Sequence, residues 1–273
     1  MNPLPHAMHT IHLSQPLNLY HTLNSGQVFR WHNRNGTWEG IVRGEFIRLF
    51  ENDGIHCTCD EDFLIWYFRL DDDLDTILST IDKDIHIHRA TTVLHGLRLI
   101  RQDPWECLIS FICSSFNNVA RIKQIVEKLC RAFGAPLPSC RGYEFPSPET
   151  LADAPVEVLR KCGLGYRDVY VQKTAQALVD GFPLYELRKM PYLEAKKALL
   201  QLPGVGHKVA DCVLLFSLDN LEAFPCDTHV RSCITQLYNP TIDVSTFGRQ
   251  YFGPYAGYAN HYLFHYQRSH NTW

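Results

Sequence analysis

A lysine that follows a glycine pair is the first feature of this sequence that could do chemistry. Residues 202–212 read LPGVGHKVADC, and Gly204 and Gly206 precede Lys208 in this segment. Glycines let another molecule approach the backbone closely, and the free N–H groups at a helix start bind phosphate. The segment therefore predicts a phosphate-binding turn with a reactive amine beside it.

Three kinds of phosphate-binding turn compete for this segment. A dinucleotide-binding turn needs G-x-G-x-x-G after a strand, but Val209 stands at the third glycine position and a helical pattern precedes the turn. A P-loop needs another spacing and a hydroxyl residue after its lysine. A helix–hairpin–helix grips a nucleic-acid backbone through main-chain groups, and the helical patterns at 192–201 and 207–218 favour it. A purely structural helical hairpin stays open as an alternative.

Asp227 follows Lys208 by nineteen residues, in the segment FPCDTHVR. Beside a DNA backbone, an unprotonated lysine amine can attack the C1′ carbon of a nucleotide, displace the base and form a Schiff base. A carboxylate can stabilise the positive charge that develops on the sugar. Cys212 lies four residues after Lys208, so it should line the same pocket. Asp227 also suits the N-cap of the next helix, and one aspartate can serve both roles.

Composition and charge are those of an ordinary globular protein and argue against indiscriminate nucleic-acid binding. Of the 273 residues 45% are hydrophobic and 20% charged, and the net charge is −3. Residues 1–93 hold 7 Lys and Arg against 13 Asp and Glu, whereas residues 94–273 hold 19 against 16. A polyanion would therefore bind the second part. Neither an apolar run of about 20 residues nor a signal-peptide layout is present, which predicts an intracellular protein without membrane contact.

The ten cysteines contain no C-x-x-C pair, and most lie inside apolar helical patterns. Structural zinc sites and disulfide frameworks need more regular spacing. We therefore predict buried, reduced thiols, with no metal and no cofactor.

The hydrophobic pattern changes from strand-like to helical along the chain. Short segments rich in β-branched and aromatic residues predict an antiparallel meander, with strands at residues 26–31, 37–42, 45–50 and 54–59. Acidic helical stretches follow, and the triple aspartate Asp71–Asp73 is predicted to start a helix. From about residue 94 the apolar residues recur at helical spacing. The fold class is thus α+β, with an N-terminal antiparallel β-sheet domain at 1–93 and an all-helical domain at 94–273.

Six motifs together resemble the 8-oxoguanine DNA glycosylase/AP lyase family of the eukaryotic type, within the helix–hairpin–helix glycosylases. In the family's order they are SGQVFRW (25–31), RQDPWECLISFICSSFNNVARI (101–122), GLGYR (163–167), LPGVGHKVADC (202–212), PCDTH (225–229) and GPYAGYA (253–259). The resemblance implies Lys208 as Schiff-base nucleophile and Asp227 as catalytic carboxylate.

The same resemblance implies the reaction and its setting. The enzyme would excise 8-oxoguanine, and formamidopyrimidine purines, from duplex DNA and nick the strand 3′ to the lesion by β-elimination. It would act as a monomer without a cofactor, preferably where cytosine is opposite the lesion. A eukaryotic source would place it in the nucleus, and any other source in the cytoplasm or nucleoid.

The resemblance also implies a pocket for the flipped base, formed by Gly26, Cys212, Pro225, Asp227, Asn260 and Phe264. The Gly26 carbonyl would accept a hydrogen bond from the N7–H that distinguishes 8-oxoguanine from guanine, whose N7 is itself an acceptor. Cys212 and Phe264 would sandwich the base. Asn260 stands where the family has glutamine, so its reach toward the base edge is one methylene shorter.

The residues implied in DNA binding are Phe116, Asn117, Arg121, Tyr166, Arg167, Gly204, Gly206 and His229. Tyr166 would wedge into the stack that the flipped base leaves, Arg121 and Arg167 would read the orphaned cytosine, and His229 would touch a phosphate. Phe116 departs from the family, which shows a run of three asparagines here. A phenyl ring can stack but cannot hydrogen-bond a base edge, so the preference for cytosine is expected to weaken.

Other functions are less consistent with the sequence. Iron–sulfur relatives carry four clustered cysteines near the C-terminus, and none follows Cys233 here. The glycosylases for alkylated bases usually lack the hairpin lysine. Two alternatives stay open: a glycosylase of the same fold for another damaged base, and a helix–hairpin–helix module that binds DNA without catalysis.

Overall fold

The computed structural model describes residues 8–138 and 142–270, which begin with a sheet and continue as helices. The sheet is antiparallel, and its strands are β1 (His9–Ile11), β2 (Trp31–Arg34), β3 (Thr37–Val42), β4 (Glu45–Glu51) and β5 (Ile55–Cys57). Their spatial order is β1-β5-β4-β3-β2, so β2 to β5 form the predicted meander.

Two-residue turns join β2 to β3 and β3 to β4 and set the register of these pairs. Asn35 and Gly36 have φ of 52° and 88°, and Arg43 and Gly44 have φ of 51° and 78°. Left-handed conformations at both central residues are what a type I′ hairpin requires, and the twist of that turn matches the twist of the strands. The result pairs Trp38 with Leu49 across β3 and β4.

The first predicted strand, residues 26–31, is wrong, because the strand begins only at Trp31. Gly26 has φ of +90°, outside the β region. The buried side chain of Gln27 donates to the Arg98 carbonyl at 2.8 Å and accepts from the Ile100 N–H at 2.8 Å. This segment is therefore attached to residues 98–100, and not to a neighbouring strand. Strand β1 was not predicted.

Fourteen α-helices occur in the described ranges. They are α1 (Leu19–Asn24), α2 (Glu61–Tyr67), α3 (Leu74–Ile81), α4 (Ile85–Val93), α5 (Pro104–Ile112), α6 (Val119–Phe133), α7 (Pro148–Ala152), α8 (Val156–Leu159), α9 (Asp168–Val179), α10 (Tyr192–Leu199), α11 (His207–Ser217), α12 (Thr228–Tyr238), α13 (Val244–Phe252) and α14 (Ala256–Ser269). As predicted for the triple aspartate, Asp73 caps α3, accepting from the Thr76 N–H at 3.1 Å. Within these ranges no helix combines the length and the apolar character that a membrane span needs.

Two groups of buried side chains form the cores. One lies under the sheet and includes Trp31 and Leu49, and the other fills the helical part. Helices α3 and α4 precede residue 94, yet their Ile77 and Ile87 belong to the helical core. The proposed domain bounds of 1–93 and 94–273 stay a prediction.

The last helix, α14, buries two histidines whose neutral forms are favoured in the folded protein. Burial lowers the pKa of His261 and that of His265, the latter to about 3, and the nearby positive charge of Arg268 lowers both further. In the unfolded chain a histidine protonates near pH 6.5. The stability due to the neutral side chain is therefore complete above pH 6.5 and is lost as the pH falls toward 3.

When the pH falls from 7 to 5, we expect the lowered pKa of His265 alone to reduce the free energy of unfolding by about 2 kcal/mol. Urea denaturation at the two pH values measures this loss, and His265→Gln should lose correspondingly less stability over the same interval. Identical pH dependence in the wild type and the variant would contradict the prediction.

Candidate active site

The glycine-containing turn lies between two helices, as the hairpin prediction requires. Residues 200–206 connect α10 to α11, and Gly206 is the N-cap of α11. Gly204 has φ of +78°, and a methyl group placed on it would lie 2.8 Å from Cβ of Tyr170. Thr174 on α9 donates to the Pro203 carbonyl at 2.8 Å. Both the backbone conformation and the close approach of α9 therefore require glycine at 204.

A buried ion pair joins the two helices of the hairpin. Lys196 Nζ lies 2.8 Å from Asp211 Oδ2, and the Tyr192 hydroxyl donates to Asp211 Oδ1 at 2.7 Å. Burial raises the pKa of Asp211, and the charge of Lys196 opposes that rise. The sequence analysis did not identify this ion pair. A carboxylate within the largely apolar pattern of the second helix could have indicated it, because a buried acid is normally paired.

Lys208 lies in the first turn of α11, and Ser114, two residues after the end of α5, binds its amine. Lys208 Nζ donates to Ser114 Oγ at 2.8 Å, and Ser114 Oγ donates in turn to the Phe111 carbonyl at 2.6 Å. The amine also lies 4.9 Å from the centre of the Phe111 ring. Ser114 was not singled out from the sequence, although it belongs to the motif that precedes α6.

Asp227 is the N-cap of α12, as predicted, and accepts from the Val230 N–H at 2.8 Å. The buried Cys212 thiol lies near both proposed catalytic groups. Burial raises the pKa of Cys212 to about 12, Lys208 opposes the rise, and Asp211 and Asp227 add to it. The fold thus brings Lys208, Cys212 and Asp227 into one neighbourhood.

The other residues of the predicted base pocket fall into two contacting groups. The buried Asn260 donates from Nδ2 to the Pro225 carbonyl at 2.9 Å, which ties α14 to the segment before Asp227. Gly26 and Phe264 both contact Arg268, which was not among the site residues predicted from the sequence. The Arg268 guanidinium carbon lies 5.7 Å from the centre of the Phe264 ring.

The predicted wedge and one predicted cytosine reader lie side by side. Tyr166 is 57% exposed and Phe116 is 97% exposed with φ of +54°. Arg167 is only 7% exposed and packs over the Tyr166 ring at 4.3 Å. Its guanidinium donates to the carbonyls of Leu164 and Ser115. Arg167 therefore supports Tyr166 and the loop before Phe116 in this structure.

The remaining predicted DNA contacts extend from this surface. The Asn117 side chain donates to the Cys113 carbonyl at 2.8 Å, so it holds the loop. Arg121 is exposed and reaches the Gly163 carbonyl at 3.5 Å. His229 is exposed in the first turn of α12. Tyr170 contacts Tyr166, with ring centres 6.1 Å apart, and so links the wedge to the hairpin turn.

The described residues contain neither a metal-ligand cluster nor a disulfide. Among residues 8–138 and 142–270, no group of three His, Cys, Asp or Glu side chains is arranged to hold a metal ion. The nine cysteines in these ranges are free thiols, and all except Cys226 are buried. Cys140 lies outside the described residues.

Comparison with known proteins identifies the family. Residues 10–108 match the model of the 8-oxoguanine DNA glycosylase N-terminal domain, and residues 109–244 match that of the HhH-GPD superfamily of base excision DNA repair proteins. The N-glycosylase/DNA lyase OGG1 of Arabidopsis thaliana is 35% identical over 289 aligned residues, covering 91% of this chain and 79% of that protein. The chain belongs to the 8-oxoguanine DNA glycosylase family.

Solved structures of this family match the whole architecture. The Clostridium acetobutylicum 8-oxoguanine glycosylase/lyase, in complex with double-stranded DNA containing cytosine opposite 8-oxoguanine, is 30% identical with a TM-score of 0.88, and the match covers 93% of each chain. MBOgg1, in complex with a low-affinity DNA ligand, is also 30% identical with a TM-score of 0.90, covering 97% of this chain and 99% of that one. The prediction of an N-terminal antiparallel sheet before a helix–hairpin–helix core is confirmed.

Proposed function

We propose that this 8-oxoguanine DNA glycosylase family member removes 8-oxoguanine, and formamidopyrimidine purines, from duplex DNA and then nicks the strand. Family membership supports this reaction. The observation that carries it is the amine of Lys208, held at 2.8 Å by Ser114 at the start of the hairpin's second helix, in the same neighbourhood as Asp227. A DNA-binding module without catalysis needs neither the amine nor the carboxylate.

The first step is displacement of the base by Lys208. The lone pair of Nζ forms a bond to C1′, the C1′–N9 bond breaks, and the base leaves with that electron pair and takes up a proton. Asp227 stabilises the positive charge that develops on the sugar. The N-cap contact of Asp227 with the Val230 N–H holds the carboxylate in place, which fixes its orientation before substrate arrives.

The second step is cleavage of the strand. The sugar ring opens as the C1′–N bond becomes a Schiff base, which makes the C2′ protons acidic. Removal of one such proton and departure of the 3′ phosphate form a C2′–C3′ double bond. Water then hydrolyses the Schiff base and frees Lys208.

The lesion must leave the duplex for this chemistry, because C1′ and the base edge are inaccessible in stacked DNA. The six residues of the predicted pocket would receive the base, with the Gly26 carbonyl as acceptor for N7–H. Tyr166, supported by Arg167, would fill the gap in the stack. The glycine turn and His229 would bind backbone phosphates, so the duplex lies across the surface from Phe116 to the hairpin.

Opposite the lesion we propose cytosine as the preferred base, read by Arg121, whose side chain is exposed. We propose action as a monomer and without a cofactor, since a lysine amine and a carboxylate suffice for this reaction. In a eukaryotic source the place of action is the nucleus, and in any other source it is the compartment that holds the genome.

The direct test is base release from a duplex with one 8-oxoguanine opposite cytosine. Mass spectrometry should detect free 8-oxoguanine, gel analysis should show strand cleavage, and the matched duplex with guanine should stay intact. Release of a different damaged base from a mixed-lesion duplex, without release of 8-oxoguanine, would instead support the alternative of a same-fold glycosylase for another damaged base.

Asp227→Asn separates the catalytic role of this residue from its capping role. Asparagine caps a helix as well as aspartate does, so the free energy of unfolding should change little. Single-turnover excision should fall by about 10²- to 10³-fold, because the amide carries no charge to stabilise the sugar. Asp227→Ala should add a loss of about 1 kcal/mol in stability. Excision at the wild-type rate by Asp227→Asn would contradict the role.

A further inference from the structure

Arg268 of the C-terminal helix packs against the loop that carries Gly26. Its Nη2 donates to the Asn24 carbonyl, and a methyl group placed on Gly26 would lie 2.9 Å from its Nη1. The same guanidinium lies 5.7 Å from the centre of the Phe264 ring. One side chain therefore contacts two parts of the proposed base pocket, the Gly26 loop and the Phe264 ring, which come from opposite ends of the chain.

The attachment point on the loop is well suited to a cation. Asn24 is the last residue of α1, and the final carbonyls of a helix lack partners within the helix. These carbonyls also carry the negative end of the helix dipole, so a guanidinium donor satisfies and stabilises them. Gly26 follows with φ of +90°, in a segment that belongs to no strand. Gln27 anchors the loop on one side of Gly26, and Arg268 holds it on the other side, at Asn24, so the position of the Gly26 carbonyl depends on both contacts.

The described neighbours of Arg268 are carbonyls, aromatic rings and bases. Within residues 8–138 and 142–270, no carboxylate oxygen lies within 4.0 Å of its nitrogens. Burial lowers the pKa of Arg268, and Tyr20 is the group that raises it. Burial lowers the pKa of the Lys123 amine, and the nearby charge of Arg268 lowers it further.

We infer that Arg268 is a positioning residue for lesion recognition, which fixes the Gly26 carbonyl at the edge of the base pocket whose one face is the Phe264 ring. The inference rests on the proposed function and deepens it. Discrimination depends on an acceptor placed to within about 0.5 Å, because 8-oxoguanine and guanine differ at N7 by one hydrogen. A loop released from Arg268 would keep the carbonyl but lose its placement.

The test compares Arg268→Met with Arg131→Met, a matched loss of an arginine that is exposed on α6 and pairs only with Glu127 among the described residues. Both are measured on an 8-oxoguanine duplex and on a duplex with a preformed abasic site. In Arg268→Met, base excision should fall by about 10-fold or more, whereas cleavage at the abasic site, which has no base to recognise, should fall far less. Arg131→Met should match the wild type on both.

A second measurement asks whether the loss acts through Gly26. In a Lys208→Gln background, binding to 8-oxoguanine is compared with binding to 7-deaza-8-oxoguanine, which has C–H in place of N7–H. The Lys208→Gln protein should bind 8-oxoguanine about 10-fold more tightly than the 7-deaza base. Adding Arg268→Met should reduce this ratio of affinities toward one. Arg268→Lys, which keeps the charge but loses the planar fork, should give an intermediate ratio and provides a second variant if methionine impairs folding.

Two outcomes would overturn the inference: an unchanged ratio in both Arg268 variants, or equal losses at the base and at the abasic site. Failure of the proposed function is distinguishable. It would appear as a wild-type enzyme and an Arg131→Met control that process neither duplex.

Discussion

Lys208→Gln is expected to abolish the covalent intermediate and to lower base excision by about 10³-fold or more, since a covalent nucleophile is lost. Sodium borohydride should trap the wild-type protein on 8-oxoguanine DNA as a covalent adduct, and the variant should give none. Glutamine can still accept or donate a hydrogen bond at Ser114, so the free energy of unfolding should change little. Denaturing gels and urea denaturation measure these two quantities.

Lys197→Gln is the matched control, because Lys197 is exposed on the first helix of the same hairpin. It should give wild-type trapping and excision. A trapped adduct that survives Lys208→Gln, or full strand cleavage without Lys208, would contradict the assignment of the nucleophile. DNA binding with no base release by the wild type would support the non-catalytic alternative.

Phe116→Asn is expected to raise selectivity for cytosine opposite the lesion. Phe116 offers a ring that is 97% exposed and has no hydrogen-bonding group, and Arg167 beside it donates to two backbone carbonyls. We therefore expect wild-type excision opposite cytosine and opposite adenine to differ by less than about tenfold. An asparagine amide that contacts the cytosine edge should increase the ratio by about 10- to 100-fold. Excision from four duplexes, one for each opposing base, measures it.

Phe116→Gly separates recognition of the opposing base from the removal of backbone strain at residue 116. Phe116 has φ of +54°, a left-handed conformation that costs about 1–2 kcal/mol for most residues but less for asparagine and glycine. Both variants should therefore be at least as stable as the wild type, while only Phe116→Asn should gain selectivity. A strong cytosine preference in the wild type, unchanged in both variants, would show that Arg121 alone reads the opposing base.

Local features of the chain were predictable because their causes are local. The Asn35–Gly36 turn, the N-caps at Asp73 and Asp227, and the glycine turn before Lys208 depend on residue types within a few positions. The predicted strand at 26–31 failed for a non-local reason. Gln27 is bonded to Arg98, 71 residues away, and no periodicity near residue 27 contains that information.

The sequence by itself determined the family and predicted Lys208 and Asp227 as the reacting groups, since the order of the motifs is present in the chain before it folds. Only the tertiary structure decided how these groups are held. Ser114 meets Lys208 across 94 residues, and Arg268 meets the loop before Gly26 across 244. Such contacts follow from how helices pack around a shared core, so a local pattern cannot specify them.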